Sequence, residues 1–135
     1  MRTSWIPMTN YVMDSFAWIE YFRGSDKGTE VKKLVEATDS ETITNIVNLS
    51  EIISVIKRGG RDHKEAFEHI LAHSKIFPLD IDFAREAGEL HADTKKLIKD
   101  FGLADAFVLL TARRLGAKIL TGDPHFKGFK KSIML

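Results

Sequence analysis

Four acidic residues, Asp14, Glu51, Asp105 and Asp123, are the side chains of this sequence best placed to do chemistry. Asp14 directly follows the apolar run Tyr11-Val12-Met13, and Asp123 closely follows Lys118-Ile119-Leu120-Thr121. Asp105 stands where a helical pattern opens after Gly102-Leu103-Ala104. Glu51 falls in the first turn of the pattern after Thr42-Ile43-Thr44. Strand C-termini and helix N-termini share one rim of a parallel sheet, so the four converge. Each alone has an ordinary use. Asp14 and Asp105 suit helix caps, Glu51 sits three residues after Asn48 as in a capping box, and Asp123 occupies a Gly-Asp-Pro turn. Together they repel one another unless protonated or neutralised by a cation. Hard oxygen ligands of this kind suit Mg²⁺ or Mn²⁺, ions that activate water and clamp phosphate oxygens.

The elements that must position these groups follow from apolar spacing. Short runs at Tyr11-Val12-Met13, Thr42-Ile43-Thr44, Ile76-Phe77-Pro78-Leu79 and Lys118–Thr121 read as strands, with Ser132–Leu135 as a terminal one. The Pro puts the third near an edge. Helical stripes lie between them: Phe16–Arg23, a short helix marked by Val31, Leu34 and Val35, then Leu49-Ile52-Ile53-Ile56 and Ala66-Phe67-Ile70-Leu71. The longest stripe runs Phe83, Ala87, Leu90, Thr94, Leu97, Ile98 and is closed by Gly102. Another holds Ala106, Leu109 and Leu110 and ends at Gly116. Asp80 and Asp82 are expected to cap the Phe83 helix, away from the four. Strands alternating with helices predict an α/β fold, a three-layer α/β/α sandwich around a central parallel sheet.

Length and composition set the limits. The 135 residues fit a single domain over 1–135, with 1–9 expected as a loose tail and Met8 as an alternative start. At 44% hydrophobic and 29% charged, the chain has the composition of an ordinary globular protein. It has no Cys, which excludes disulfides, a thiol nucleophile and thiolate metal sites. No apolar stretch is long enough for a membrane helix and the N-terminus lacks a secretory pattern, so a cytoplasmic location is expected. The Asn48-Leu49-Ser50 sequon has no meaning there.

Four segments carry a resemblance: Asn10-Tyr11-Val12-Met13-Asp14-Ser15, Asn48-Leu49-Ser50-Glu51-Ile52, Leu103-Ala104-Asp105-Ala106-Phe107-Val108 and Ile119-Leu120-Thr121-Gly122-Asp123-Pro124-His125-Phe126. In order and spacing they resemble the four motifs of the PIN-domain family, and within it the stand-alone VapC-type toxins. The resemblance implies a Mg²⁺- or Mn²⁺-dependent endoribonuclease, the toxin of a toxin–antitoxin pair. Asp14 and Asp105 would be the main metal ligands, with Glu51 and Asp123 completing the pocket directly or through water. Ser15 and Thr121 would hydrogen-bond within it. An RNA substrate, a cognate antitoxin and a homodimer are the implied partners. Phe16 and Trp18 make the segment after Asp14 more aromatic than is usual in the family. Phe107 replaces a smaller aliphatic residue.

Other signals divide between functional and ordinary readings. His69 and His73 are four apart, as zinc-binding pairs often are, but lack a third ligand, and a solvated helix face is expected. His125 reads as a turn residue. Setting the four acids aside leaves 20 basic residues against 15 acidic, so a basic outer surface is expected. The stretch from Arg113 onward could guide an RNA backbone or merely complement a helix end, and Lys57, Arg58, Arg61 and Lys64 are as ambiguous. Trp18, Tyr21 and Phe22 crowd one helix, two expected in the core and the rest free to meet a partner. Two other functions stay open: a catalytically inactive PIN module that binds RNA or protein, and an RNA-maturation nuclease outside any toxin–antitoxin pair. A phosphotransfer enzyme is disfavoured because Asp14 is followed by Ser15 and Phe16, not by an Asp-x-Asp pair.

Overall fold

A computed structural model describes residues 9–129 and 132–135. It contains β1 (Thr9–Met13), α1 (Ser15–Arg23), α2 (Asp26–Glu36), β2 (Ser40–Asn45), α3 (Ile46–Arg58), α4 (His63–His73) and β3 (Ser74–Phe77). Then come α5 (Ile81–Lys95), α6 (Leu103–Leu115), β4 (Lys118–Thr121), a single 3-10 turn (Pro124–Phe126) and β5 (Ser132–Met134). The strands form one parallel sheet in the order β3-β2-β1-β4-β5. The three-layer α/β/α architecture predicted from alternating periodicity is the one observed. The tail expected over residues 1–9 lies outside the described residues except for Thr9, which opens β1.

Side-chain alternation along β1 divides the core. Tyr11 and Met13 point to one face, where they pack with Trp18, Val31, Ile52, Ile56 and Ile70 of α1 to α4. Val12 points to the other and, in register with Ile43 and Ile119, packs under Ala106, Val108, Leu109 and Ala112 of α6. Phe83, Ala87 and Phe107 join α5 to α6 in a third cluster. Phe107, bulkier than the family pattern, therefore fills an interhelical seam.

The order of strands decides where ligands can gather. From β1 the chain winds outward through β2 and β3, then returns to place β4 on the other side of β1. The winding direction reverses between β1 and β4. Strand ends diverge at such a point and leave a crevice at their carboxyl ends. Asp14 and Thr121 end those two strands.

Three expectations are corrected. The α3 helix follows β2 without a loop, capped by Asn45, so Glu51 lies in its second turn rather than its first. The Phe83 stripe outruns its helix: α5 stops at Lys95, the amides of Leu97 and Ile98 both turn back to the Thr94 carbonyl, and Leu97 is 88% exposed. Gly102 caps the start of α6 rather than closing α5. Within the α4 stripe, which does form a helix, Ala66 and Ile70 are buried while Phe67 and Leu71 are exposed.

Candidate active site

Asp14 is 5% exposed, and both its carboxylate oxygens are engaged. Its Oδ1 accepts the Ala17 amide at 2.9 Å and caps α1, the ordinary role the sequence allowed. Its Oδ2 accepts the hydroxyl of the fully buried Thr121. The Thr121 oxygen in turn accepts the Asp123 amide at 2.8 Å. One hydroxyl thus uses both its donor and an acceptor position to join the ends of β1 and β4. Burial is the main reason that the Asp14 carboxyl is raised from its ordinary 3.8 to about 7. The Thr121 and Ala17 hydrogen bonds oppose the rise, and the negative charges of Asp123 and Asp105 add to it.

The other two acids reach this rim differently. Asp105, in the first turn of α6, accepts the Gly102 amide at 2.8 Å with its Oδ2. Glu51 is exposed but not loose: the Ser15 hydroxyl donates to its Oε1. Ser15 is held from behind by Asn48, whose Nδ2 donates to the Ser15 oxygen at 3.1 Å. The relay Asn48–Ser15–Glu51 ties α3 to the start of α1. Asn45 adds a second tie, donating to the Thr111 hydroxyl at 3.0 Å while capping α3, so the helices bearing Glu51 and Asp105 are fixed to each other. The predicted residues Asp14, Ser15, Thr121 and Asp123 thus meet through hydrogen bonds or local chain, Glu51 joins through Ser15, and Asp105 through its field at Asp14.

An all-oxygen donor set fits a hard divalent ion, and like charge around a buried carboxyl is relieved by one. Among the described residues, however, no three His, Asp or Glu side chains stand close enough together to hold a metal. An ion would have to draw them closer.

Asn48 enters the sequence reading of the site only as a capping-box partner for Glu51, and Asn45, Thr111 and Gly122 have no role there. Asn48 had a signal: it lies three residues before Glu51, on the same side of one helix. Its Oδ1 is buried without a hydrogen-bond partner. Gly122 announces itself only in space, since a Cβ there would stand 2.1 Å from a Phe16 ring carbon.

The discounted signals resolve mostly toward structure. His69 does not face solvent as expected. It is half-buried, 2.6 Å from the Tyr21 hydroxyl and stacked on His73 at 4.1 Å, and burial first, then His73, lowers its pKa. Trp18 is fully buried and donates to Thr44 at 2.9 Å. Tyr21 and Phe22 line a cleft of about 370 Å³ with Arg61, Glu65 and His69, so the helix offers an edge rather than a broad apolar face. Arg113 and Arg114 sit in the last turn of α6, roughly 13 Å along the axis from Asp105, and Arg114 pairs with Glu86. That placement favours the helix-end reading for those two. The His125 side chain, Lys130 and Lys131 lie outside the described residues. Asp80 caps α5 through the Phe83 amide at 2.7 Å, as expected.

Comparison with known proteins bears on the family and the fold. A family model described as PIN domain matches residues 11–131. A toxin–antitoxin complex from Klebsiella pneumoniae is similar at a TM-score of 0.72 and 20% identity, covering 92% of this chain and 96% of that one. VapBC2 from Rickettsia felis, bound to a promoter DNA fragment, is similar at 0.70 and 14%, covering 94% and 98%. Mycobacterium tuberculosis VapC20, a toxin that cleaves the sarcin-ricin loop, is similar at 0.68 and 17%, covering 90% and 97%. At such identities these likenesses establish the fold. No curated protein matches the chain.

Proposed function

The chain belongs to the PIN-domain family, and from that premise we propose that it is a divalent-metal-dependent endoribonuclease, the toxin of a toxin–antitoxin pair. One observation carries the reading: a buried carboxyl, Asp14, is held at the strand crevice with the charges of Asp105 and Asp123 upon it. A fold that only needed a helix cap would not gather like charge around it.

Asp14, Asp105, Glu51 and Asp123 would hold Mg²⁺ or Mn²⁺. When bound, such an ion supplies positive charge for the phosphoryl oxygens and lowers the pKa of an attacking water. Thr121 keeps Asp14 oriented, and Ser15 does the same for Glu51. RNA hydrolysis needs no other titrating group in the pocket, and neither His69 nor His73 belongs to it. The cytoplasm, where RNA is met, is the proposed location. Among the described residues no helix is long and apolar enough to cross a membrane. A cognate antitoxin, supported by the toxin–antitoxin complexes among the similar structures, and a homodimer complete the proposal.

The spacing of the acids favours a second reading, a PIN module that binds RNA without cutting it. One experiment separates the two. Purified protein incubated with total RNA and millimolar Mg²⁺ or Mn²⁺ should cleave, and Asp105→Asn should not. Cleavage unchanged in the variant would remove the acidic rim from the mechanism, and no cleavage by the parent protein would favour the binding module.

A further inference from the structure

Phe16 is a half-buried aromatic that serves no core. Among the described residues it joins none of the three apolar clusters, although the other eight phenylalanines, Phe67 apart, do. Its ring rests instead on the backbone of Gly122, where an added Cβ would stand 2.1 Å from a ring carbon unless the ring moved. Gly122 lies between Thr121, which holds Asp14, and Asp123. Phe16 itself follows Asp14 by two residues. The ring is therefore a wall of the acidic rim. The exposed Lys27 lies across it, with Nζ 5.4 Å from the ring centroid. An ammonium in solvent can occupy that position only where the ring is open to solvent.

A fixed aromatic face with a mobile cation, beside a site for phosphodiester chemistry, matches what a single-stranded nucleotide requires. Its base has a π-face to stack and its phosphate a charge to neutralise. We infer that Phe16 is a stacking platform for the nucleobase adjoining the scissile phosphate, with Lys27 swinging off the ring onto the neighbouring phosphate. The inference rests on the nuclease reading for the word scissile, but the platform itself is a binding site and can be tested without turnover. Gly122 makes the platform possible by letting the ring lie close against the site loop.

The test compares adenosine 5′-monophosphate with ribose 5-phosphate, which lacks the base, binding to the full chain in Mg²⁺. Parent protein should bind the nucleotide roughly tenfold or more tightly than the sugar phosphate. Phe16→Leu should abolish that ratio while leaving sugar-phosphate affinity unchanged, and Phe16→Tyr should restore it. Lys27→Gln should weaken both ligands alike. Equal affinities in the parent protein, or a ratio that survives Phe16→Leu, would overturn the platform. So would a Phe16→Leu protein that binds nucleotide normally but loses inhibition by an antitoxin peptide, which would assign the ring to a protein contact. Base-dependent binding without RNA cleavage would keep the platform and remove the nuclease reading. Cleavage with no base dependence would do the reverse.

Discussion

The hydroxyl of Thr121 donates to the carboxylate of Asp14 across 107 residues of chain, closing the crevice between two neighbouring parallel strands. That bond fixes the least exposed acid of the rim where its charge is most costly.

Stability should consequently depend on pH with a sign opposite to most carboxylates. The folded-state pKa of Asp14, about 7, lies above its ordinary 3.8, so the folded protein binds the proton more tightly than the unfolded chain. The stabilisation from protonation is fully present below pH 4 and is lost as pH rises to 7. Its size is on the order of 4 kcal/mol at most. Urea titrations of metal-free protein between pH 4 and 8, compared with Asp14→Asn, should show this loss in the parent and not in the variant.

Divalent metal should reverse that loss. Mg²⁺ or Mn²⁺ at about a hundred times its dissociation constant adds roughly 2.7 kcal/mol. For a chain of this size that is a rise in Tm of several degrees. The rise should be larger at pH 8 than at pH 5, where Asp14 is protonated. Identical melts with and without metal at pH 8 would argue against a functional metal site.

Asp105 separates structure from chemistry. Asn retains an oxygen for the Gly102 amide, so Asp105→Asn should melt close to the parent, whereas Asp105→Ala should lose about 1 kcal/mol. Both should lose RNA cleavage by a hundredfold or more. Matched activity in the two with unequal stability would show that the charge, not the cap, is what catalysis uses.

The relay behind Glu51 should respond to Asn48. Asn48→Ala removes the donor that steadies Ser15 and should cost about 1 kcal/mol. It should also weaken Mn²⁺ binding, read by electron paramagnetic resonance, through a freed Glu51. Unchanged metal affinity would confine Asn48 to a structural role.

Gly28→Ala tests the packing that carries α1. A Cβ at residue 28 would stand 2.0 Å from the Glu20 carbonyl oxygen, a backbone atom that cannot rotate away. The two helices must part, at a cost of about 3 kcal/mol or more. A thermal melt within two degrees of the parent would show that the crossing is looser than its geometry.

The sequence was legible where periodicity is strong. Alternation at Tyr11-Val12-Met13 and the stripes of α3 and α6 identify strands and helices because each must bury one face. It was less legible at boundaries. Helix α3 starts three residues before its first deep apolar position, because Asn45 caps it directly from the strand, and this moved Glu51 by a turn. Leu97 continued a helical spacing that the backbone had already left. Candidate acids were readable from their places after strands, but their partners were not. Whether Thr121 meets Asp14, or Asn48 meets Ser15, depends on which strands adjoin, and strand order has no local signature. Gly122 was silent for a different reason: its function is the absence of a side chain.

The reversal of winding between β1 and β4 also governs when the molecule becomes complete. Strand β1 is made early, yet one of its two neighbours is β4, which follows after six helices and two strands. Pairings so distant close slowly, and what precedes them must wait with one edge unsatisfied. During synthesis Asp14 lacks its Thr121 partner until residue 121 has left the ribosome. A chain made only as far as β3 has no Thr121 clasp and no Gly122 for Phe16 to rest on. The acidic rim is thus incomplete for most of the chain's own translation.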